Sequence, residues 1–244
     1  MIVSHEHRFI FLRVPKTAST SVEVVLSSIA GPDAIVTPNF PPVPGHEPRN
    51  FRRFFNPVPE TLRLLTRPSE RGQSTLFALR GTARDLKRRR AFYEHMTAEL
   101  VRDRLGRKAW DRYFTFCFVR NPWDRVASAY YYGTHRANPR PTLEEWVRRR
   151  GMPRSTWPIY TISGKVAVDF VGRYEQLEDD LRSVLHHLRV DVGSVLPRTN
   201  SEQRPPGSGG RPRFTPALAA EIGVAFRNEI ECFGYTAPAW ATVR

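Results

Sequence analysis

Between Pro15 and Ser21 the chain reads Pro-Lys-Thr-Ala-Ser-Thr-Ser, so that Lys16, Thr17, Ser19, Thr20 and Ser21 bring one cation and four hydroxyls together. Placed at a helix start, whose first N–H groups lack intrahelical acceptors, such groups bind phosphate or a similar tetrahedral anion. A second cation, Arg120, opens Arg-Asn-Pro-Trp far downstream and suits the same kind of ligand. The chemistry indicated is recognition of a phosphate-like anion. No glycine precedes Lys16, so the pattern G-x-x-x-x-G-K-[ST] is absent and an ordinary ATP or GTP hydrolase is disfavoured.

The elements that must hold these residues follow from local pattern. Phe9 to Leu12 is a short apolar run of the kind a covered parallel strand shows, and Pro15 keeps it from continuing. Thr20 with Glu23 three residues on fits a capping box, and Val22, Val25, Leu26 and Ile29 share one helical face. Phe114 to Val119 repeats the grammar as a central strand, followed by Asn121 as N-cap and Pro122 at the first helical position. Ligands of open parallel sheets gather at the carboxyl ends of strands, where both Lys16 and Arg120 fall. The alternation predicts a three-layer, P-loop-like α/β fold with a mainly parallel central sheet.

The stretch PKTASTS at Pro15 to Ser21, followed by FVRNPWDRVASAYY at Phe118 to Tyr131, resembles sulfotransferases that use 3′-phosphoadenosine 5′-phosphosulfate (PAPS). The resemblance is closest to the branch of carbohydrate sulfotransferases and their bacterial relatives. AVDFVGRYEQLEDDL at Ala167 to Leu181 and NEIECFGY at Asn228 to Tyr235 agree with it. It implies that Lys16, Thr17, Ala18, Ser19, Thr20 and Ser21 hold the 5′-phosphosulfate and that Arg120 with Ser128 holds the 3′-phosphate. It also implies His95 as general base, a task that an imidazole of pKa near ~6.5 suits at neutral pH. Lys16 would place its cation on the bridging and sulfuryl oxygens. Glu175 falls where the family has a recurring glutamate, and Arg204, Arg211 and Arg213 lie in a loop that closes over the nucleotide in related enzymes. Relatives often carry Gly-Gly where this chain has Ala18 and Ser19; both are small, so close backbone approach to an anion is retained. The implied reaction needs PAPS as cosubstrate, no metal, and a hydroxyl-bearing acceptor, carbohydrate first.

The length of 244 residues fits one domain over 1–244, with a basic, proline-rich insertion at about 38–90. Phe51, Phe54 and Phe55 in that insertion are expected to pack on the core. A net charge of +14 asks for an acidic partner. Nucleic acid is disfavoured, because no nucleic-acid motif accompanies the charges. Cys117 and Cys232 read as small apolar packing residues, and His46, a competitor for the base, as part of a flexible loop. Polar residues near the start and the lack of a long apolar run predict a soluble cytoplasmic protein. Two other classes stay open: a noncatalytic binder of anionic glycan or nucleic acid, and a kinase-like phosphotransferase. The second would need ATP and Mg²⁺, for which no Walker-type lysine or obvious carboxylate pair is present.

Overall fold

Alternation along two strands assigns residues to the two sides of a sheet. In the computed structural model, which describes residues 1–67, 73–191, 212 and 214–241, β2 (Phe9–Leu12) is buried throughout. Its Phe9 and Phe11 join one core, while Ile10 and Leu12 join another. In β4 (Phe114–Val119), Phe116 and Phe118 turn to the first core and Cys117 and Val119 to the second. With β1 (Ile2–Ser4), β3 (Ile35–Val36) and β7 (Phe170–Arg173), these strands form a sheet of order β3-β1-β2-β4-β7. A separate two-stranded ribbon joins β5 (Thr161–Ile162) and β6 (Lys165–Val166).

Parallel pairing runs from Phe9↔Phe114 to Leu12↔Cys117 and from Phe116↔Phe170 to Val119↔Arg173. β1 is antiparallel to both β2 and β3, so the sheet is mixed, with a parallel block of β2, β4 and β7. The reason is chain length: only residues 5–8 separate β1 from β2, too few for a crossover, so that pair must be a hairpin.

Both faces are covered. α1 (Ser19–Ile29) and α9 (Leu177–His187) bury Val22, Leu26, Leu181 and Leu185 on the phenylalanine side. Opposite them, α4 (Ala98–Leu105) and α8 (Trp157–Tyr160) add Val101 and Tyr160 to the core that contains Phe92 and Met96. Gly172 in β7 is set by this packing, since a Cβ there would stand 2.4 Å from the Phe118 ring. A third core joins α6 (Pro122–Thr134), α7 (Leu143–Arg150) and α10 (Pro216–Ala225) through Trp123, Leu143 and Ile222. α11 (Arg227–Phe233) ends at Gly234 in the left-handed region.

The 38–90 segment contributes α2 (Val58–Thr66) and α3 (Thr75–Lys87), and α5 (Arg107–Trp110) follows α4. Phe55 is buried and Phe51 packs against the core, but Phe54 is exposed, so the expected packing holds for two of the three. Cys117 is buried as expected, whereas Cys232 is exposed. His46 is also buried, against the expectation of a flexible loop, because its ring faces the interior carboxylate of Glu23 at 3.8 Å. Among the described residues no helix is long and apolar enough to cross a membrane.

Candidate functional site

The parallel register sets the ends of β2 and β4 side by side, and the two polar turns leave from that edge. They are joined directly: Arg120 Nη1 donates to the Lys16 carbonyl at 3.1 Å. Arg120 Nη2 reaches Asp124 Oδ2 at 3.2 Å, the guanidinium lies 3.8 Å from the centre of the Tyr174 ring, and its Nε is buried with no partner among the described residues. Lys16 Nζ stands 3.1 Å over the Tyr132 ring on α6. Ser128 lies four residues from both Asp124 and Tyr132, hence on the same side of α6. Burial, then the fields of Arg13 and Arg120, lower the Lys16 pKa to about 8.

The expected capping box does not form. α1 begins at Ser19 with Ala18 as its N-cap residue and no side-chain cap, and Thr20 is already inside the helix. Glu23 is drawn inward instead: Oε1 lies 2.5 Å from the Met1 nitrogen and Oε2 3.0 Å from Arg13. Burial alone would raise the Glu23 carboxyl, but those two cations outweigh it and hold it below the usual range. Lys16 and Ala18 adopt positive φ, 67° and 56°, where side chains cost roughly 1–2 kcal/mol each. Left-handed residues within a turn are how successive N–H groups come to face one point. Thr17 is fully buried and its hydroxyl donates to the Val14 carbonyl at 2.9 Å; Ser19 and Ser21 are buried as well.

Arg13, which the sequence reading passed over, ties the remaining parts together. Its Nη1 contacts Glu23 and, at 3.1 Å, Glu94, and also donates to Asn39; its Nη2 donates to Thr20 Oγ1 at 3.2 Å. Its carbonyl lies 2.9 Å from His95 Nδ1. A carbonyl only accepts, so Nδ1 carries the proton and Nε2 presents the lone pair, 3.7 Å from Glu94 Oε2. Burial, opposed by that hydrogen bond, pushes the His95 pKa down to about 4. The ring is therefore neutral at pH 7, yet less basic than the ordinary value anticipated for it.

The model of the sulfotransferase family matches residues 1–236. The chain belongs to the sulfotransferase family. Membership supports sulfotransfer as the general activity. An uncharacterized protein of Archaeoglobus fulgidus is 39% identical over 97 residues, covering 37% of this chain and 79% of that relative. No solved structure matches.

In this sulfotransferase-family chain Glu175 acts on the second turn. Its Oε1 accepts from the Asn121 backbone N–H at 2.8 Å and its Oε2 lies 3.4 Å from the Tyr235 hydroxyl. Asn121 caps α6 as expected and also donates to the Thr236 carbonyl at 2.9 Å. At the same junction Tyr174 lies under the Arg120 guanidinium, whereas Arg173 is occupied with the Phe233 carbonyl at 2.8 Å. Arg204, Arg211 and Arg213 lie outside the described residues. Arg13 could have been found from its place: a charged residue between Leu12 and Val14 at the end of a buried strand needs partners. Tyr132 and Tyr174 had no such signal, because their contacts with Lys16 and Arg120 are long-range.

Proposed function

We propose that the chain moves a sulfuryl group from PAPS to an acceptor hydroxyl of a carbohydrate or glycoconjugate, within a single P-loop-like domain over 1–244. The observation that carries the reading is the convergence of Lys16, Arg120 and Arg13 on an uncapped helix start, with the two turns bonded through Arg120 and the Lys16 carbonyl. The residues fit such a donor. The buried, unpartnered Nε of Arg120 has donor capacity to spare, and Lys16, its pKa depressed by burial and then by Arg13 and Arg120, would gain from a bound anion.

PAPS, when bound, supplies an activated sulfuryl group whose anhydride oxygen departs with negative charge. Lys16 holds an ammonium at the first turn to offset that charge. Ser19 and Thr20 offer hydroxyls and, with Ser21, N–H groups at the helix start, while Ala18 and Thr17 offer backbone alone, since the Thr17 hydroxyl is committed to Val14. Thr20 accepts from Arg13 and keeps its own hydrogen to donate. Arg120 with Ser128 holds the 3′-phosphate. His95 Nε2 takes the proton of the acceptor hydroxyl, and Arg13 fixes the tautomer that makes this possible.

The test is calorimetric titration with adenosine 3′,5′-bisphosphate, adenosine 5′-monophosphate and ATP with Mg²⁺, repeated on Arg120→Ala, then transfer of labelled sulfate from PAPS to a panel of carbohydrates. The bisphosphate should bind at least about tenfold more tightly than the monophosphate, in keeping with charge-assisted hydrogen bonds, and the margin should vanish in Arg120→Ala. Lys16→Ala should abolish transfer. Equal affinity for the two nucleotides, or normal turnover in Lys16→Ala, overturns the reading.

A further inference from the structure

Helix α2 is turned inside out. Its buried face carries Glu60 and Leu64, while Val58, Leu62 and Leu65, at spacings of four and three, form one apolar stripe of which each member is more than 60% exposed. The usual amphipathic rule places such a stripe inward. What overrides it is an ion network. Glu60 accepts from Arg104 Nε at 2.9 Å and from the Thr82 hydroxyl at 2.5 Å, and Arg104 Nη2 also reaches Asp85 at 3.1 Å. Rolling α2 to bury the leucines would strip Glu60 from both partners, and removing one partner of a buried ion pair is strongly destabilising. The outward stripe is a fixed feature of the fold.

The surroundings say what covers it. In 51–67 and 73–90 the carboxylates are Glu60 and Asp85, and both are buried on Arg104. Every exposed charge in those residues is accordingly positive, including Arg52, Arg67, Arg80, Arg84 and Lys87. α3 packs beside α2 and exposes Leu76 and Phe77 at its start, while the exposed Phe54 ring carries the Arg89 guanidinium at 4.5 Å. An apolar stripe in a cationic field matches a surface that is apolar beneath and anionic on top.

We propose that this face docks on an anionic lipid surface, with Val58, Leu62 and Leu65 entering the boundary between headgroups and acyl chains and the neighbouring arginines meeting headgroup phosphates. A second copy of the chain fits less well, because a two-fold contact would set the same cations against one another. Nucleic acid would satisfy the arginines and leave the stripe in water. The proposal stands apart from the sulfuryl-transfer reading, since no residue of the two turns takes part.

The experiment is flotation of the full chain with vesicles of phosphatidylcholine alone and of phosphatidylcholine mixed with phosphatidylserine, at low and high salt. The chain should float with the mixed vesicles, poorly with the neutral ones, and less at high salt. The variant Leu62→Ser with Leu65→Ser alters exposed residues only, so its fold and bisphosphate affinity should be unchanged while vesicle binding falls by at least about tenfold. Arg80→Gln with Arg84→Gln should weaken binding and flatten its salt dependence. Failure to float with mixed vesicles, equal flotation with neutral ones, or unaltered flotation of the serine variant overturns the proposal. A dimer in solution that the serine variant splits also overturns it, in favour of a second copy.

Discussion

If Lys16 sits among cations with a pKa of about 8, an anion bound at the first turn must change its protonation. At pH 8 roughly half of the free protein carries a neutral Lys16, and at pH 7 roughly a tenth does. An arriving phosphate offsets the Arg13 and Arg120 fields and favours the charged amine, returning the pKa toward its ordinary 10.5. Binding at pH 8 should therefore take up about 0.5 proton and at pH 7 about 0.1, and affinity should decline as pH rises above 8. The nucleotide does not blur the count, because the second ionisation of a phosphate, near pKa ~6, is complete at pH 8. Titrating the bisphosphate in buffers of different ionisation enthalpy measures the uptake. Lys16→Arg keeps the charge and abolishes the titration, so its uptake should be near zero. No uptake at pH 8 in the parent, or the same uptake in Lys16→Arg, would refute the assignment.

His95→Ala should lower turnover by about 10² to 10⁴ with bisphosphate affinity little changed. In the parent, kcat at saturating PAPS should stay flat between pH 5 and 7, because a base whose pKa is about 4 is deprotonated throughout; an acid limb near the ordinary histidine value would contradict the geometry. Arg13→Met removes one of the two cations paired with the buried Glu23 and should cost about 1.5–3 kcal/mol in denaturant unfolding, with an effect below 1 kcal/mol refuting the hub. Gly172→Ala forces the Phe118 ring aside and should cost about 1–3 kcal/mol, read in the same way; a neutral result would mean the ring yields freely.

The two turns were legible because strand, turn and helix are adjacent in sequence, so Phe9 to Leu12, Lys16, Arg120, Asn121 and Pro122 all declare themselves locally. The misreadings of Glu23 and His46 share one cause, which is partners far off along the chain. Glu23 has the spacing of a capping residue but answers to the Met1 nitrogen and Arg13. His46 looked loose in a proline-rich stretch and is buried by its approach to that same carboxylate. The His95 pKa is lowered by burial, which a sequence does not print. α2 carries the periodicity of an ordinary amphipathic helix, and its rotation is settled by Arg104, 44 residues from Glu60.

The crowding of Arg13, Lys16 and Arg120 also bears on how long the protein lasts. Like charges held within one another's fields oppose the folded state, and a tightly held anion reverses that sign. At a hundred times its dissociation constant, such a ligand adds about 2.7 kcal/mol to the unfolding free energy. On the proposed reading the melting temperature would rise with donor supply, and scarcity of the nucleotide would leave more of the chain open to proteases.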